Sequence, residues 1–428
     1  MSLAVAIIGA GPSGLYCAEA IARKRPDARI DIIDRLPMPY GLVRYGVAPD
    51  HQGTKVVTRV FDRLLQKAGL RFLGGVELGR DVALAELQED YDAVVLACGA
   101  SVDRRLGIRG EDRRNVFGSA AFVGWYNGHP DFADLPVEMG GVRSVAVIGN
   151  GNVAIDVVRV LAKTPAEMAK SDLAPHAATA IAAAPIREIH LIGRRGPVEA
   201  SFTNAELAEL GRLERARPVV CPEDLPATLG EVDPALRKVK EANLATLRGF
   251  AQLAEDDRPV RIHFRFHAVP REITGDGLLL EGPGGLSRIG ADLVVSCIGY
   301  RCGPVRDVLL DEARGIVANR DGAVAPGLYV VGWARRGPSG VIATNRGDSA
   351  ELAERLLEEV ATDQAKPGPA GLDRRLAARG LRPVCFADWK RIEAAEMQAA
   401  TGSEAPRVKL VRRSDIERVL AGRDEVGQ

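Results

Sequence analysis

The chain has 428 residues, of which 46% are apolar and 27% charged, a balance that excludes a disordered or fibrous protein. This length favours two domains over one core. Lys plus Arg and Asp plus Glu number 57 each, so no net field draws the chain to nucleic acid or to an anionic membrane. No apolar run approaches the ~20 residues that a membrane span needs.

The six cysteines are scattered, and no pair has Cys-x-x-Cys or zinc-ligand spacing. This pattern disfavours metal binding and dithiol redox chemistry, and most of the six, such as Cys98 after Val-Val-Leu-Ala, are expected to be small buried apolar side chains. Free thiols are typical of a reducing compartment. The first predicted strand begins at about Leu3, which leaves no room for a targeting peptide, so the sequence predicts a cytoplasmic protein.

The first predicted elements form a β-α-β unit. A strand at Leu3–Ile8 is followed by glycines, a helical pattern through Arg23 and a second strand at Arg29–Ile33 that leads to Asp34. The next strand is predicted at Tyr91–Leu96. Strands that alternate with helices favour a parallel, doubly wound sheet.

A similar unit begins far downstream. A strand at Ser144–Ile148 precedes a second glycine-rich turn, a helix at Val153–Ala162 and a returning strand at Glu188–Ile192, with an Ala- and Pro-rich helical excursion at 163–185. The sequence therefore predicts an α/β protein with two Rossmann-like (doubly wound, three-layer) nucleotide-binding domains.

The last third of the chain completes both units. An antiparallel insert is predicted at 259–290, and strands at Leu293–Ile298 and Gly327–Val331 precede an amphipathic helix at Gly340–Val360. A Pro- and Gly-rich loop at 362–372 then leads to a C-terminal helical tail.

The first glycine-rich turn has the Gly-x-Gly-x-x-Gly pattern of a dinucleotide site, with glycines at Gly9, Gly11 and Gly14. They permit a tight turn, close approach of a pyrophosphate and packing of helix on strand, and the helix N-terminus adds unpaired N–H groups. Asp34, about 20 residues after Gly14, is placed to bind the ribose hydroxyls of an adenosine. The alternative is a glycine-rich turn without a ligand.

The second turn runs from Gly149 to Ala154, and its second strand ends in Arg194 and Arg195 rather than in an acid. An acid there would repel a 2′-phosphate, whereas paired guanidiniums bind it through charge-assisted hydrogen bonds, which favours NADPH over NADH. The alternative for the two arginines is a solvated turn.

One turn with an acid and one with an arginine pair indicate a tightly held FAD and an exchangeable NADPH. A flavin accepts a hydride as an electron pair and releases electrons singly, so these cofactors are those of an electron-transfer enzyme. The order of the elements predicts a discontinuous FAD-binding domain, residues 1–103 and 327–428, with the NADP-binding domain, residues 104–326, inserted into it.

The loop from Pro39 to His51, with the sequence Pro-Tyr-Gly-Leu-Val-Arg-Tyr-Gly-Val-Ala-Pro-Asp-His, closely resembles the adrenodoxin reductase-like ferredoxin–NADP reductases. The matches run from residue 3 to about 410. Further matching segments and positions are Gly149–Asp156, Gly193–Pro197, Phe202, Thr203, Glu206, Gly332, Trp333, Gly337–Ile342, Trp389, Ile392, Glu396, Gly402 and Pro406–Lys409.

The resemblance implies an enzyme that delivers electrons from NADPH through FAD to a separate ferredoxin, and it implies which positions bind each cofactor. The implied FAD contacts, beyond the glycines of the first turn, are Ser13, Asp34, Leu42, Val76, Trp333, Gly340, Val341 and Ile342. The implied NADP contacts are Asn150, Gly151, Asn152, Val153, Arg194, Arg195, Glu206 and Gly340.

The resemblance also places His51 and Asp156 near the flavin as an assisting pair, although His51 is equally consistent with a structural histidine. Gly340 is expected to open a helix whose N–H groups face the flavin and stabilise its reduced form. Trp333 is expected to wall the flavin and Glu206 to hold the nicotinamide ribose; the alternatives are a packing tryptophan and an exposed glutamate.

The sequence indicates less about the electron acceptor than about the two cofactors. The chain has no cysteine cluster for an iron–sulfur centre, so a ferredoxin must be a separate protein. A basic helix is one candidate for docking it, and a solvated helix face is the alternative. An NADPH-dependent reductase of a small acceptor and a non-catalytic NADPH sensor stay open, and the resemblance favours a monomer. The basic residues are Arg237, Lys238, Lys240 and Arg248.

Overall fold

The computed structural model describes residues 2–421. The strands are β1 Ala4–Ile8, β2 Arg29–Asp34, β3 Leu70–Gly74, β4 Ala93–Leu96, β5 Val102–Asp103, β6 Val116–Gly118, β7 Ser144–Ile148, β8 Glu188–Ile192, β9 Ala216–Val219, β10 Val260–Arg265, β11 Val269–Ile273, β12 Gly277–Gly282, β13 Gly285–Gly290, β14 Leu293–Ser296, β15 Tyr300–Arg301, β16 Leu310–Asp311, β17 Ile316–Val317, β18 Ala323–Ala325 and β19 Leu328–Val330.

The α-helices connect these strands and form the C-terminal tail. They are α1 Pro12–Lys24, α2 Leu42–Tyr45, α3 Gln52–Lys55, α4 Thr58–Leu65, α5 Leu84–Asp90, α6 Ser119–Tyr126, α7 Asn152–Ala162, α8 Pro175–Ala183, α9 Asn204–Glu209, α10 Pro234–Ala251, α11 Trp333–Arg336, α12 Thr344–Glu359, α13 Pro369–Ala378, α14 Phe386–Ala399 and α15 Arg413–Ala421.

The first six-stranded sheet has the order β18-β19-β4-β1-β2-β3, and all its pairs are parallel except the β18–β19 hairpin. One face packs against α1 and α12, and the other against α5 and α13, through buried leucines such as Leu15 and Leu356 on the first face and Leu87 and Leu376 on the second. This is the predicted three-layer, doubly wound arrangement, and its parallel strands bring their carboxyl ends to one edge.

The second sheet has the order β6-β14-β7-β8-β10-β9, and every pair is parallel. Helices α6 to α8 and α10 cover one face, and the three-stranded antiparallel sheet β11-β12-β13 covers the other. The predicted antiparallel insert at 259–290 is therefore wrong in its first part. The segment Val260–Arg265 belongs to the parallel sheet, between β8 and β9, because its apolar side chains are buried in the core of that sheet.

A short two-stranded ribbon marks where the chain crosses between the sheets. Antiparallel β5 and β15 pair Val102 with Arg301. Just beyond β15, Cys302 is buried in the core of the first sheet, and Val317 follows it there. The chain thus returns to the first core well before the strand at Leu328–Val330.

The C-terminal tail packs back onto the loop that follows β2. The guanidinium of Arg44 forms a buried, two-pronged ion pair with Glu396 of α14. Lys409 is also buried, and its Nζ lies 3.2 Å from Asp172 Oδ2, while Lys55 donates to the other carboxylate oxygen, Oδ1, at 2.6 Å. These paired buried charges fix the position of the tail, since removing either partner would leave the other as an unpaired charge buried away from water.

Two further sequence predictions need correction. The helix expected to open at Gly340 begins at Thr344, because Gly340 has φ +80° and lies in the turn before it. Most cysteines are not buried: Cys17 and Cys302 are, whereas Cys98, Cys221 and Cys385 are exposed. Within residues 2–421, no helix combines the length and apolar character needed to span a bilayer.

Candidate cofactor sites and the cluster between them

The first glycine-rich turn leaves space for a ligand on one side only. A Cβ on Gly9 would lie 2.4 Å from the Ala97 carbonyl oxygen, and one on Gly14 would lie 2.0 Å from the Gly9 carbonyl oxygen. A Cβ on Gly11 would instead meet only the Gly41 Cα, at 3.9 Å, and Gly11 gives the N-terminus of α1 no side-chain cap. This cradle fits a pyrophosphate, whose oxygens accept hydrogen bonds from helix N–H groups.

Asp34 is fixed beside that turn at the carboxyl end of β2. Its Oδ2 accepts a hydrogen bond from the Ala10 N–H at 2.7 Å, and its Oδ1 accepts one from the Leu36 N–H at 2.8 Å. Burial raises the pKa of the carboxyl, and the two N–H groups oppose that shift. Val76 is buried next to it and donates its N–H to the Asp34 carbonyl oxygen. The carboxylate retains lone pairs for ribose hydroxyls.

Ser13 links the first turn to the start of α12. Its hydroxyl donates to Asn345 Oδ1 at 3.0 Å, and Arg336 Nη2 donates to the same oxygen at 2.8 Å. Gly332 touches Ser13 so closely that a Cβ there would lie 2.0 Å from the Ser13 Oγ. These contacts bring the two ends of the expected FAD-binding domain together at one place.

Trp333 begins α11 beside this junction. Its indole Nε1 donates to the Ser339 carbonyl oxygen at 3.0 Å, and its ring stacks on Tyr300 with centroids 6.1 Å apart. The tryptophan therefore fixes the turn that contains Gly340, and it packs on Tyr300 of β15, where the chain returns to the first sheet.

Two of the expected FAD contacts are apolar side chains exposed to solvent. Leu42 is 44% exposed and Val341 is 63% exposed. Their neighbour Ile342 packs partly into the core under α12. Exposed apolar groups beside a phosphate cradle are suited to the flat face of a ring system.

The second turn resembles the first. Asn150, Gly151, Asn152 and Val153 form the turn and the first residues of α7, and Gly151 provides no side-chain cap. The Asn150 carbonyl oxygen accepts the Ser201 N–H at 2.7 Å, while the Asn150 Oδ1 is buried without a donor. The unpaired oxygen and the uncapped helix both fit a nucleotide that the turn would hold.

Arg194 and Arg195 lie at the edge where this turn opens. They follow β8, which pairs in parallel with β7, so Ile192 lies opposite Ile148 just before the turn. Both arginine side chains are exposed, and within residues 2–421 neither forms a side-chain hydrogen bond or an ion pair. Two unpaired guanidiniums beside a phosphate cradle fit a 2′-phosphate.

A buried group of charges, which we call the Arg159 cluster, lies between the two turns. Arg159 of α7 is fully buried and donates to Asp50 at 2.8 Å, to Asp156 at 2.7 Å and to Glu206 at 3.0 Å. Its remaining members are His51 and Glu209. Asp50 and His51 come from the loop after β2, so the cluster ties the first unit to α7 and α9 of the second.

His51 meets its predicted partner only at the edge of contact range. Its Nδ1 lies 4.0 Å from Asp156 Oδ1, whereas its Nε2 lies 3.5 Å from carboxylate oxygens of both Glu206 and Glu209. Burial raises the pKa of Asp156 to about 6 although Arg159 opposes the shift. Asp50 behaves in the opposite way, because Arg159 and Lys163 outweigh its burial and hold its pKa below the usual value.

The sequence predictions identified the glycines, Asp34, the arginine pair and Asp156, but they missed Arg159 and Asn345. Arg159 carried a usable signal, since it is a charged residue in the otherwise apolar Val-Val-Arg-Val-Leu stretch and follows Asp156 by one helical turn. Asn345 carried none, because its contact with Ser13 spans 332 positions of sequence.

Two glycine-rich turns at the ends of parallel sheets, one with an acid and one with an arginine pair, define the class of two-dinucleotide flavoproteins. The family model described as pyridine nucleotide-disulphide oxidoreductase matches residues 3–209. The mitochondrial NADPH:adrenodoxin oxidoreductase of Arabidopsis thaliana is 36% identical over 97% of this chain and 94% of its own length.

The NADPH-ferredoxin reductase FprA of Mycobacterium tuberculosis is 36% identical over 98% of this chain and 99% of its own length. A solved structure of FprA in complex with NADPH has a TM-score of 0.91 at 35% identity and covers 99% of this chain and 100% of its own. The chain belongs to the adrenodoxin reductase-like ferredoxin–NADP reductase family, and its cofactors are FAD and NADP(H).

Proposed function

We propose that the chain is an FAD-dependent ferredoxin–NADP(+) oxidoreductase that moves electrons between NADPH and a one-electron iron–sulfur acceptor. The observation that carries this proposal is the pair of uncapped glycine-rich turns, with Asp34 beside one and the unpaired Arg194 and Arg195 beside the other. Bound FAD accepts a hydride as two electrons and releases electrons singly. The relatives named as adrenodoxin and ferredoxin reductases support this chemistry.

The first turn would hold the FAD pyrophosphate, and Asp34 would bind the adenosine ribose. The turn around Gly340 would lie against the flavin, with Leu42 and Val341 supplying apolar contact and Trp333 holding the turn in shape. The start of α12 would stabilise negative charge that develops on the ring, through its N–H groups and dipole.

The second turn would hold NADP, with Arg194 and Arg195 on its 2′-phosphate. Glu206 would contact the nicotinamide ribose, in an orientation that Arg159 fixes through its 3.0 Å hydrogen bond. His51 and Asp156 would assist rather than react, because hydride transfer needs no general base. Asp156 would mainly set the charge of the Arg159 cluster near the point where the two cofactors meet.

We propose the predicted two-domain division, residues 1–103 and 327–428 for FAD and residues 104–326 for NADP, with one boundary changed. The packing of Cys302 and Val317 in the first core supports moving the second boundary to about residue 302. The β5–β15 ribbon would then be the hinge between the domains.

A separate ferredoxin would be the acceptor, and the contacts on α10 favour the solvated-face alternative for its basic residues. Lys240 donates to the Ala200 carbonyl oxygen, and Arg248 donates to the carbonyl oxygens of Pro226 and Ala227. Arg237 faces Glu241 one helical turn on. Of the four basic residues, Lys238 alone takes no part in these contacts. We therefore do not propose α10 as the surface that docks the ferredoxin. A cytoplasmic monomer is the state that we propose for the enzyme.

Turnover with different acceptors tests the proposed function. Purified FAD-loaded protein is given NADPH and either ferricyanide or a [2Fe–2S] ferredoxin coupled to cytochrome c. We expect fast reduction of both acceptors. Reduction of ferricyanide but not of the ferredoxin would indicate a small-acceptor reductase, and reduction of neither acceptor would indicate a sensor; either result contradicts the proposal.

A further inference from the structure

Two cysteines that are far apart in sequence meet at the crossing between the two sheets. Cys98 follows β4 and Cys302 follows β15, and 204 positions separate them. Their Sγ atoms lie 4.0 Å apart. A disulfide between them requires the two sulfurs to approach to about 2.05 Å. The expectation that the chain lacks a dithiol rested on sequence spacing alone, and this contact removes its basis.

The two thiols have different surroundings. Cys98 is exposed, and its backbone N lies in the wall of the first turn, 3.3 Å from the place of a Cβ on Gly9. Cys302 is buried, and its N–H donates to the Gly315 carbonyl oxygen at 2.8 Å. Of the two thiols Cys98 therefore lies nearer to the surface, which makes it the attacking thiol of the pair and Cys302 the resolving thiol.

The contact between the sulfurs also shifts the pKa values of the two thiols in opposite directions. Either sulfur can donate its S–H in this contact, which raises the pKa of the Cys98 thiol and lowers the pKa of the Cys302 thiol. Cys302 is therefore the first of the two thiols to ionise, and its thiolate can take the proton of Cys98 across this contact when Cys98 reacts.

We propose that Cys98 and Cys302 are a modification site that forms a reversible disulfide by exchange with a small-molecule disulfide such as oxidised glutathione. The bond would join the segment that leaves the first core to the segment that returns to it, on either side of the β5–β15 ribbon. It would therefore fasten the hinge between the two units.

The exchange balances in two steps. The Cys98 thiolate attacks one sulfur of the external disulfide, which forms a mixed disulfide and releases one thiolate. The Cys302 thiolate then attacks the Cys98 sulfur, the bond to the external sulfur breaks, and the second thiolate leaves. The two protons from Cys98 and Cys302 end on the released thiols, so the protein pair is oxidised by two electrons and the external disulfide is reduced by two.

Peptide mapping of the FAD-loaded enzyme tests the site. The reduced protein is incubated with oxidised glutathione, alkylated under denaturing conditions, digested and analysed by mass spectrometry. We expect a peptide pair joined through Cys98 and Cys302, which disappears after treatment with a dithiol reductant. Of the six cysteines, two then escape alkylation as members of this pair. The matched control Cys221→Ser removes an exposed cysteine elsewhere and keeps the joined pair, whereas Cys98→Ser and Cys302→Ser lose it.

Free thiols at both positions, or a glutathione adduct on Cys98 with Cys302 still free, would overturn the proposed disulfide. Amide hydrogen exchange tests separately whether the disulfide restricts motion at the β5–β15 ribbon. We expect exchange in segments 99–104 and 299–303 to slow severalfold in the oxidised wild type and to stay unchanged in Cys98→Ser given the same treatment. Equal exchange before and after disulfide formation would overturn the fastening of the hinge.

Discussion

At the scale of single residues, opposite charges at equivalent places separate the two nucleotide sites. Asp34 ends the second strand of the first unit, and Arg194 and Arg195 follow the second strand of the other. The carboxylate is fixed by two N–H groups, which prepares it for hydroxyl donors. The guanidiniums have no such partners in the part of the chain that the structure describes, which leaves them for an anion.

The arginine pair should decide between NADPH and NADH. We expect Arg194→Ala with Arg195→Ala to raise the KM for NADPH by about 10²- to 10⁴-fold, since the double variant loses two hydrogen bonds to a charged group, each worth about 1.5–3 kcal/mol. The KM for NADH should change little, because NADH has no 2′-phosphate. Arg288→Ala, an exposed arginine paired with Asp276 on the antiparallel sheet, is the control. An unchanged preference for NADPH in the double variant would remove the basis of this assignment.

Asp156 should make stability depend on pH in a defined direction. Its pKa is about 6 in the folded protein and about 3.9 in an unfolded chain, so the folded state binds the proton more tightly. The stabilisation is complete below about pH 4 and is lost as pH rises through about 6. We expect the thermal midpoint of the wild type, relative to Asp156→Asn, to fall by on the order of 5 °C over that range.

The exposed position Asp134 provides the control for that measurement, as Asp134→Asn, because its partner Arg412 is also exposed. A wild-type curve parallel to that of Asp156→Asn between about pH 4 and pH 7 would show that Asp156 does not titrate there.

At the scale of elements, several central strands could be predicted closely because local pattern determines them, whereas β3, β6 and β9 were not predicted. Ser144–Ile148 and Glu188–Ile192 have the predicted bounds, since each is a short apolar run bounded by polar or glycine residues. Val260–Arg265 alternates apolar and polar residues, which is typical of a half-buried antiparallel strand, yet it lies in the parallel sheet. Its position in the parallel sheet depends on pairing with β8 and β9, whose residues are distant in sequence.

The junction of α1, α11 and α12 should tolerate no side chain at Gly332. Its φ is +72°, and a Cβ would lie 2.0 Å from the Ser13 Oγ, so Gly332→Ala should cost about 1–3 kcal/mol in backbone strain alone and weaken FAD retention. The matched control is Gly347→Ala in α12, where a Cβ meets nothing within 4 Å and should be neutral or stabilise by about 0.5–1 kcal/mol. Thermal midpoints and bound FAD per chain measure both, and equal values for the two variants would contradict this account of the junction.

At the scale of the whole molecule, buried charges join parts that the sequence order separates. The Arg159 cluster ties the loop after β2 to α7 and α9, and Arg44 with Glu396 ties the same loop to the tail. The sequence predicted two nucleotide-binding units and their cofactors, because each turn is a local motif. It could not predict Arg159 as the centre of the cluster or the Cys98–Cys302 contact, since both depend on how the units pack.

The central claim is that electrons pass from NADPH through FAD to a ferredoxin, and stopped-flow absorbance tests it most directly. The FAD-loaded protein is mixed with NADPH and then with a [2Fe–2S] ferredoxin. We expect the flavin band to bleach and then to recover as the ferredoxin is reduced, both at rates that account for turnover. A flavin that bleaches with NADPH but stays reduced in the presence of ferredoxin would contradict the claim.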